Sequence, residues 1–208
     1  MIDRRKSPVA REGIPFLLAI AAITVGLWYF GDAALAAFPF ALLVLTFLVF
    51  RDPRREVAAA ALGVVCPVDG KVVEISVAQK GVLADDVQKV IIKVNIFGTY
   101  TARCPSEGKI MDPRDESETG RATTEDGGLW VHTDEGNEVL LQFQGYRFGI
   151  PPHAIVDYGE RVGQGQRCAY LRWTRFAELQ LPASGRVLVS EGQRVRAGND
   201  LLARLPQP

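Results

Sequence analysis

Pro67-Val68-Asp69-Gly70-Lys71-Val72 returns as Pro105-Ser106-Glu107-Gly108-Lys109-Ile110 and again as Pro182-Ala183-Ser184-Gly185-Arg186-Val187. The shared pattern, P-x-x-G-[KR]-[VI], sets a proline before a glycine turn that launches a strand. A second repeat, G-x-R-V-x-x-G, occupies 159–165 and 192–198, with starts 33 residues apart. Its glycines supply the positive φ that tight turns between strands need. Between these turns lie short runs rich in Val, Ile, Leu and aromatic residues, at 71–77, 88–97, 129–133, 138–144, 167–173, 176–181, 186–190 and 201–205. No helical period persists among them beyond one turn. Eight short strands in about 145 residues predict an all-β barrel or sandwich over 63–208.

Toward the N-terminus the pattern changes. Residues 14–50 are 37 in number and carry a single charge, Asp32. One continuous helix of that length would reach roughly 55 Å, against a hydrocarbon core of about 30 Å. Gly31-Asp32 divides the run into 14–30 and 33–50, each near the lower limit of about 17 residues for a span. The expectation is a hairpin of two short transmembrane helices, with Pro15 in the first turn of one and Pro39 kinking the other. Both flanks are basic: Arg4, Arg5, Lys6 and Arg11 come before, Arg51, Arg54 and Arg55 after. The turn has no positive charge, so the positive-inside rule puts both termini in the cytoplasm. Trp28 and Tyr29 suit the interfacial aromatic belt of the far side. A cleaved signal peptide would have one apolar core of about 7–15 residues and no second span. The chain thus divides into a basic N-terminus (1–13), a membrane hairpin (14–50), a linker (51–62) whose alanine-rich 57–62 extends a helix briefly, and a β domain (63–208).

Composition excludes several functions. Lys and Arg number 24 and Asp and Glu 24, so the net charge is zero. A nucleic-acid binder needs a basic footprint to release counterions, and none is expected here. Three widely spaced cysteines, Cys66, Cys104 and Cys168, form neither a disulfide framework nor a zinc motif. His132 and His153 are the two histidines, too few for a metal centre, so no metal is expected. The stretch 111–127 is polar and acidic, either a solvated loop or a flap over a site at the membrane surface.

Taken in order, several motifs resemble the small bacterial phosphatidylserine decarboxylases, pyruvoyl enzymes with an N-terminal membrane hairpin. Phe50-Arg51-Asp52-Pro53-Arg54-Arg55 resembles that family's F-R-D-P-x-R exit from the membrane. Cys66-Pro67-Val68-Asp69-Gly70-Lys71-Val72 is similar to its S-P-A-D-G-x-V. Val94-Asn95-Ile96-Phe97 through Arg103-Cys104-Pro105 resembles N-V-F-D-V-H-V-N-R-A-P, and 159–167 with Leu171-Arg172-Trp173 resembles G-x-R-V-x-x-G-x-x-x-G-x-I-R-F. The G-x-R-V-x-x-G repeat also resembles barrel-sandwich hybrids of the lipoyl and biotinyl carriers, which implies a barrel-sandwich-hybrid-like β domain. A carrier would present a lysine at a hairpin tip, whereas Lys71 and Lys109 stand where strands begin.

The resemblance implies self-cleavage at a Gly-Ser bond, with the serine becoming a pyruvoyl group, and an Asp-His pair to activate it. Asp69 stands at the aspartate position, although a turn-capping role would also account for it. Tyr100 occupies the histidine position, and a phenol of pKa about 10 is a poor base near neutrality. Thr174 and Arg175 replace Gly-Ser, and no serine lies between Ser117 and Ser184. Losing nucleophile and base together removes machinery that acts as a unit. No catalytic residue and no pyruvoyl cofactor are therefore expected. Arg161, Arg167, Arg172 and Arg175 surround the degenerate position, either as a phosphate-headgroup site or as a strand edge guarded against aggregation.

The expected function is that of a non-catalytic, decarboxylase-like protein of the inner (cytoplasmic) membrane. It would be an accessory, structural or assembly subunit, with membrane lipids and other membrane-protein subunits as partners. The alternatives are an active decarboxylase using Thr174 as a non-standard nucleophile, and an anionic phospholipid-binding module. Two cytoplasmic termini make a direct prediction. Protease added to sealed right-side-out vesicles should leave the C-terminal domain intact, and its digestion would reverse the topology.

Overall fold

In the computed structural model the described residues are 8–31, 33–53, 55–78, 86–111 and 128–207. Arg4, Arg5, Lys6, Asp32, Arg54 and residues 112–127 of the polar stretch lie outside them. The chain forms two compact units: Met1–Arg54 with Ile96–Tyr100, and Arg55–Asn95 with Thr101–Pro208.

The first unit holds two apolar helices, α1 (Ile14–Phe30) and α2 (Ala33–Val49), preceded by a single 3-10 turn at Arg11–Gly13. Pro15 falls in the first turn of α1, where its missing N–H costs nothing, and Pro39 lies inside α2. Both helices are apolar on every side rather than along one stripe. The hydroxyls of Thr24 and Thr46 donate back to the carbonyls of Ile20 (2.7 Å) and Leu42 (2.8 Å), so neither leaves a bare polar group on an apolar helix. Backbone bonds from Ala10 N–H to Phe50 O (3.0 Å) and from Asp52 N–H to Pro8 O (2.8 Å) tie the two ends of the hairpin together. Arg11–Phe30, 20 residues, is long and apolar enough to cross a membrane, and Ala34–Val49 is apolar but shorter.

The second unit is all-β and antiparallel. Its strands are β1 (Gly63–Val65), β2 (Gly70–Ala78), β3 (Val87–Val94), β4 (Thr101–Arg103), β5 (Gly108–Met111), β6 (Leu129–His132) and β7 (Glu138–Tyr146). They continue with β8 (His153–Ala154), β9 (Arg161–Val162), β10 (Arg167–Tyr170), β11 (Thr174–Pro182), β12 (Arg186–Val187), β13 (Arg194–Val195) and β14 (Leu201–Arg204). A curled eight-stranded sheet runs β13-β2-β3-β11-β7-β6-β5-β9, beside two three-stranded sheets, β1-β14-β12 and β4-β10-β8. Each of the eight expected strands has a counterpart. The six extra ones, β1, β4, β5, β8, β9 and β13, are two to four residues long, too short for an alternating pattern to show. The expected strand 167–173 stops at Tyr170, and 57–62 is not helical: Leu62 there takes φ 56. Residues 55–60, expected to be linker, lie along the β unit, with Ala58 N–H bonded to Gly198 O (2.9 Å) and Val57 against Gly165.

Both repeats acquire a structural meaning. The large sheet is palindromic about its central β11–β7 pair, because β13-β2-β3-β11 mirrors β9-β5-β6-β7. Each P-x-x-G-K start pairs with one R-V of the second repeat: Gly70 and Lys71 with Val195 and Arg194, Gly108 and Lys109 with Val162 and Arg161. Equivalent hydrogen bonds follow, Gly198 N–H to Cys66 O (2.8 Å) beside Gly165 N–H to Cys104 O (2.9 Å). Likewise Gly192 N–H reaches Val72 O (2.8 Å) and Gly159 N–H reaches Ile110 O (2.8 Å). The copies also exchange bonds, Val65 N–H to Pro105 O (2.8 Å) and Arg103 N–H to Pro67 O (2.8 Å). The unit is therefore a duplicated motif in which β4–β10 sit, in sequence, inside the copy made of β1–β3 and β11–β14.

One hydrophobic cluster fills the unit, drawing on all three sheets, with Val139, Leu141 and Phe143 of β7 and Ala177, Leu179 and Leu181 of β11 at its centre. Alternation sends Leu140 to the opposite face, where it meets Val87 and Trp130. Glu178 and Gln180 also face away from that core yet are buried. Lys89 (3.2 Å) and the amides of Gln144 and Gln180 (2.7 Å each) satisfy the Glu178 carboxylate.

Glycine in the P-x-x-G turn is required by close approach. A Cβ at Gly108, whose φ is +153°, would fall on the backbone carbonyl oxygen of His132, whereas at Gly136, with φ +81°, it would meet nothing within 4 Å. Gly136→Ala should cost about 1 kcal/mol from backbone strain alone. Gly108→Ala should cost at least roughly 2 kcal/mol more, read by denaturant unfolding of the purified protein in detergent.

Candidate functional site

The chain leaves β10 at Tyr170 and enters β11 at Thr174 through a four-residue turn. Thr174 N–H donates to Leu171 O (2.9 Å), and the two central residues, Arg172 (φ 42) and Trp173 (φ 70), are both left-handed. This is the pattern of a type I′ turn, which favours Asn and Gly. Arginine and tryptophan in such a conformation cost of order 1–3 kcal/mol each, so the surroundings must hold them. Arg147 N–H donates to Trp173 O (3.3 Å), and the Phe148 ring meets the Trp173 ring edge-on at 6.3 Å. The buried Thr174 hydroxyl donates to Leu171 O at 2.5 Å, inside the same turn. Arg175 follows it and is exposed.

Asp69 is held by partners distant in sequence. The Arg55 guanidinium grips its carboxylate with two bonds of 2.6 Å, and the Ala197 N–H donates to it at 2.8 Å. The pair is mostly out of water, with side-chain exposures of 15% for Arg55 and 10% for Asp69. A fork-to-fork Arg–carboxylate contact fixes orientation as well as energy. Tyr100 belongs to the helical unit, where its hydroxyl donates to Glu12 (3.0 Å) and its ring tilts onto Phe50 at 4.7 Å.

The four arginines fall on different elements. Arg161 lies on β9 at the sheet edge, ion-paired with Asp134, and Arg167 opens β10 opposite Arg103. Arg172 is in the turn, and Arg175 is on β11 beside Gly145. His132 and His153 are exposed, and His153 stacks on Tyr170 at 6.4 Å. Among the described residues no three His, Cys, Asp or Glu side chains gather as a metal site. Cys66, Cys104 and Cys168 are free and buried. Burial pushes the Cys66 thiol well above its ordinary pKa, and burial followed by contact with the Cys104 thiol does the same to Cys168. Cys66 and Cys168 are thus poor nucleophiles.

No family model matches the chain. A phosphatidylserine decarboxylase proenzyme of Burkholderia mallei is 30% identical over 213 residues, covering 96% of each chain. One of Burkholderia cenocepacia is 32% identical over 96% of this chain and 97% of its own. The chain belongs to the phosphatidylserine decarboxylase family. Among solved structures, the glucose permease IIA of Mycoplasma capricolum superposes with a TM-score of 0.45 at 14% identity, over 68% of this chain and 94% of that one.

By the family motif the Gly-Ser bond is expected at 174–175, just past this turn at the start of β11, where the chain reads Thr174-Arg175. These side chains do not fit the making of a pyruvoyl group. Arg175 has no hydroxyl to attack with, and the Thr174 hydroxyl is engaged with Leu171. Sequence reading missed the residues that hold Asp69. Arg55 had a signal, as the last residue of the F-R-D-P-x-R motif, whereas Ala197 acts through its backbone and left none.

Two substitutions test this geometry by thermal unfolding. Asp69→Ala strands the Arg55 charge and should cost roughly 3 kcal/mol. Arg172→Asn, which tolerates left-handed backbone, should instead stabilise by about 1 kcal/mol.

Proposed function

We propose that this protein is a non-catalytic member of the phosphatidylserine decarboxylase family. It is anchored in the inner membrane by both apolar helices, with its β unit in the cytoplasm, and serves as an accessory, structural or assembly subunit of a membrane complex. The observation that carries this reading is the turn between β10 and β11. It is left-handed at Arg172 and Trp173, and Thr174 and Arg175, which follow, stand in the sequence motif at the family's glycine and serine positions. Tyr100 stands at the histidine position and gives its proton to a hydrogen bond with Glu12. Asp69 remains, but with a cation and a backbone N–H as its partners its role is to position the fold. The arrangement supports a retained scaffold whose reactive positions have drifted, with lipids and other membrane-protein subunits as its partners.

The competing reading, decarboxylation through Thr174, requires that hydroxyl to attack the carbonyl of Trp173. Its present bond points to the carbonyl of Leu171 instead. Intact mass separates the two. The purified chain should run as one polypeptide near 22.8 kDa and should not react with hydroxylamine, a carbonyl reagent. Cleavage near residue 173 with a reactive carbonyl on the smaller fragment would return the protein to the active enzymes. The combined variant Thr174→Gly, Arg175→Ser and Tyr100→His, beside the native Asp69, should regain some self-cleavage, whereas Arg175→Ser alone or Tyr100→His alone should not.

A further inference from the structure

Phe148 is 83% exposed, and its backbone is held left-handed at φ 61. Gly149, Ile150 and Pro151 follow it on the surface, Ile150 being 44% exposed, so the chain presents an apolar tip. A bulky residue kept in a strained conformation with its ring in solvent calls for a functional explanation. The tip is not isolated. Residues 146–156 run beside 167–177, with Tyr146 opposite Thr174, Ala154 opposite Ala169 and His153 opposite Tyr170. Arg147 N–H and the edge-on rings of Phe148 and Trp173 join the two turns.

The two segments are also basic, ending just before Asp157 and Glu178. The two segments together contain Arg147, Arg167, Arg172 and Arg175, and no Asp or Glu. In a chain whose 24 basic and 24 acidic residues balance, that is a concentrated excess. We infer that the Phe148 tip docks on the anionic surface of a phospholipid bilayer. Phe148 and Ile150 enter the interfacial region, and the arginines face the lipid phosphates. Aromatic rings prefer the headgroup level, and guanidinium groups bind phosphate oxygens in pairs. A protruding tip of two turns, rather than a groove, matches a deformable planar partner. Anionic lipid also attracts basic clusters within about a Debye length of its surface. The inference rests on the membrane-anchored reading, but does not depend on whether the chain is cleaved.

The test is the full chain with Phe148→Cys, labelled with an environment-sensitive fluorophore. The three natural cysteines are buried, so the label goes to position 148. The protein is placed in nanodiscs of phosphatidylcholine alone or mixed with phosphatidylglycerol, with or without headgroup-proximal doxyl lipids as quenchers. The expected result is a blue shift and loss of emission in the anionic discs. Both should weaken with Arg172→Gln plus Arg175→Gln, and neither should appear for a label at Glu135→Cys. Ile150→Cys gives the same reading if the Phe148 variant misfolds. Emission unmoved by lipid overturns the inference. So does a blue shift insensitive to the lipid quencher, which marks burial against a second protein surface. If the chain fails to enter the discs, the anchoring reading fails separately. The same label on the unanchored chain with added anionic vesicles then decides the tip.

Discussion

Two hydrogen bonds, Val65 N–H to Pro105 O and Arg103 N–H to Pro67 O, lock together the two copies of the motif that build the β unit. Each copy donates the backbone before its own proline turn to the proline of the other. Neither turn can shift without breaking a bond that the other needs. The exchange holds the starts of the two P-x-x-G turns in register, while the β11–β7 ladder joins the copies at the centre of the large sheet. The proline in each turn suits the arrangement, since it offers a carbonyl without a competing N–H.

The copies share a backbone and differ in what they do with it. At position 69 the carboxylate is held by Arg55 and Ala197. At the matching position, 107, Glu107 is exposed. Burying a charge is tolerable only where its partners are fixed, and one copy alone has recruited such partners. The Asp69–Arg55 pair joins the start of the β unit to β2, while Ala197 brings in the segment beyond β13. With these bonds Asp69 ties three segments of the β unit together. The turn at 171–174 is likewise held by its surroundings, since Arg172 and Trp173 are left-handed against their own preference.

Much of this was legible in the sequence, and the remainder was hidden for definable reasons. The helix limits could be read because Gly31-Asp32 interrupts an otherwise apolar run, and α1 and α2 end within a residue of the expected places. The glycine turns could be read because their repeats share residue types with a physical requirement. Strands of two or three residues, such as β9 and β13, leave no period to detect, so the duplication showed only as repeats and not as a sheet order. The left-handed turn was invisible because Arg172 and Trp173 contradict local preference, and tertiary contacts overrule it. Arg55 looked like one more basic residue of a membrane flank until its partner was located.

The nesting of one copy inside the other governs the order in which the chain can mature. Strands β4–β10 are contiguous, so during synthesis that copy has every strand it needs once residue 170 has emerged. The outer copy cannot close until β11–β14 arrive, and the Ala197-to-Asp69 bond spans 128 residues. Contacts of such sequence separation form slowly, because loop closure precedes any gain from them. The nascent outer copy therefore waits with β1–β3 unpaired on one side until the late strands emerge and dock.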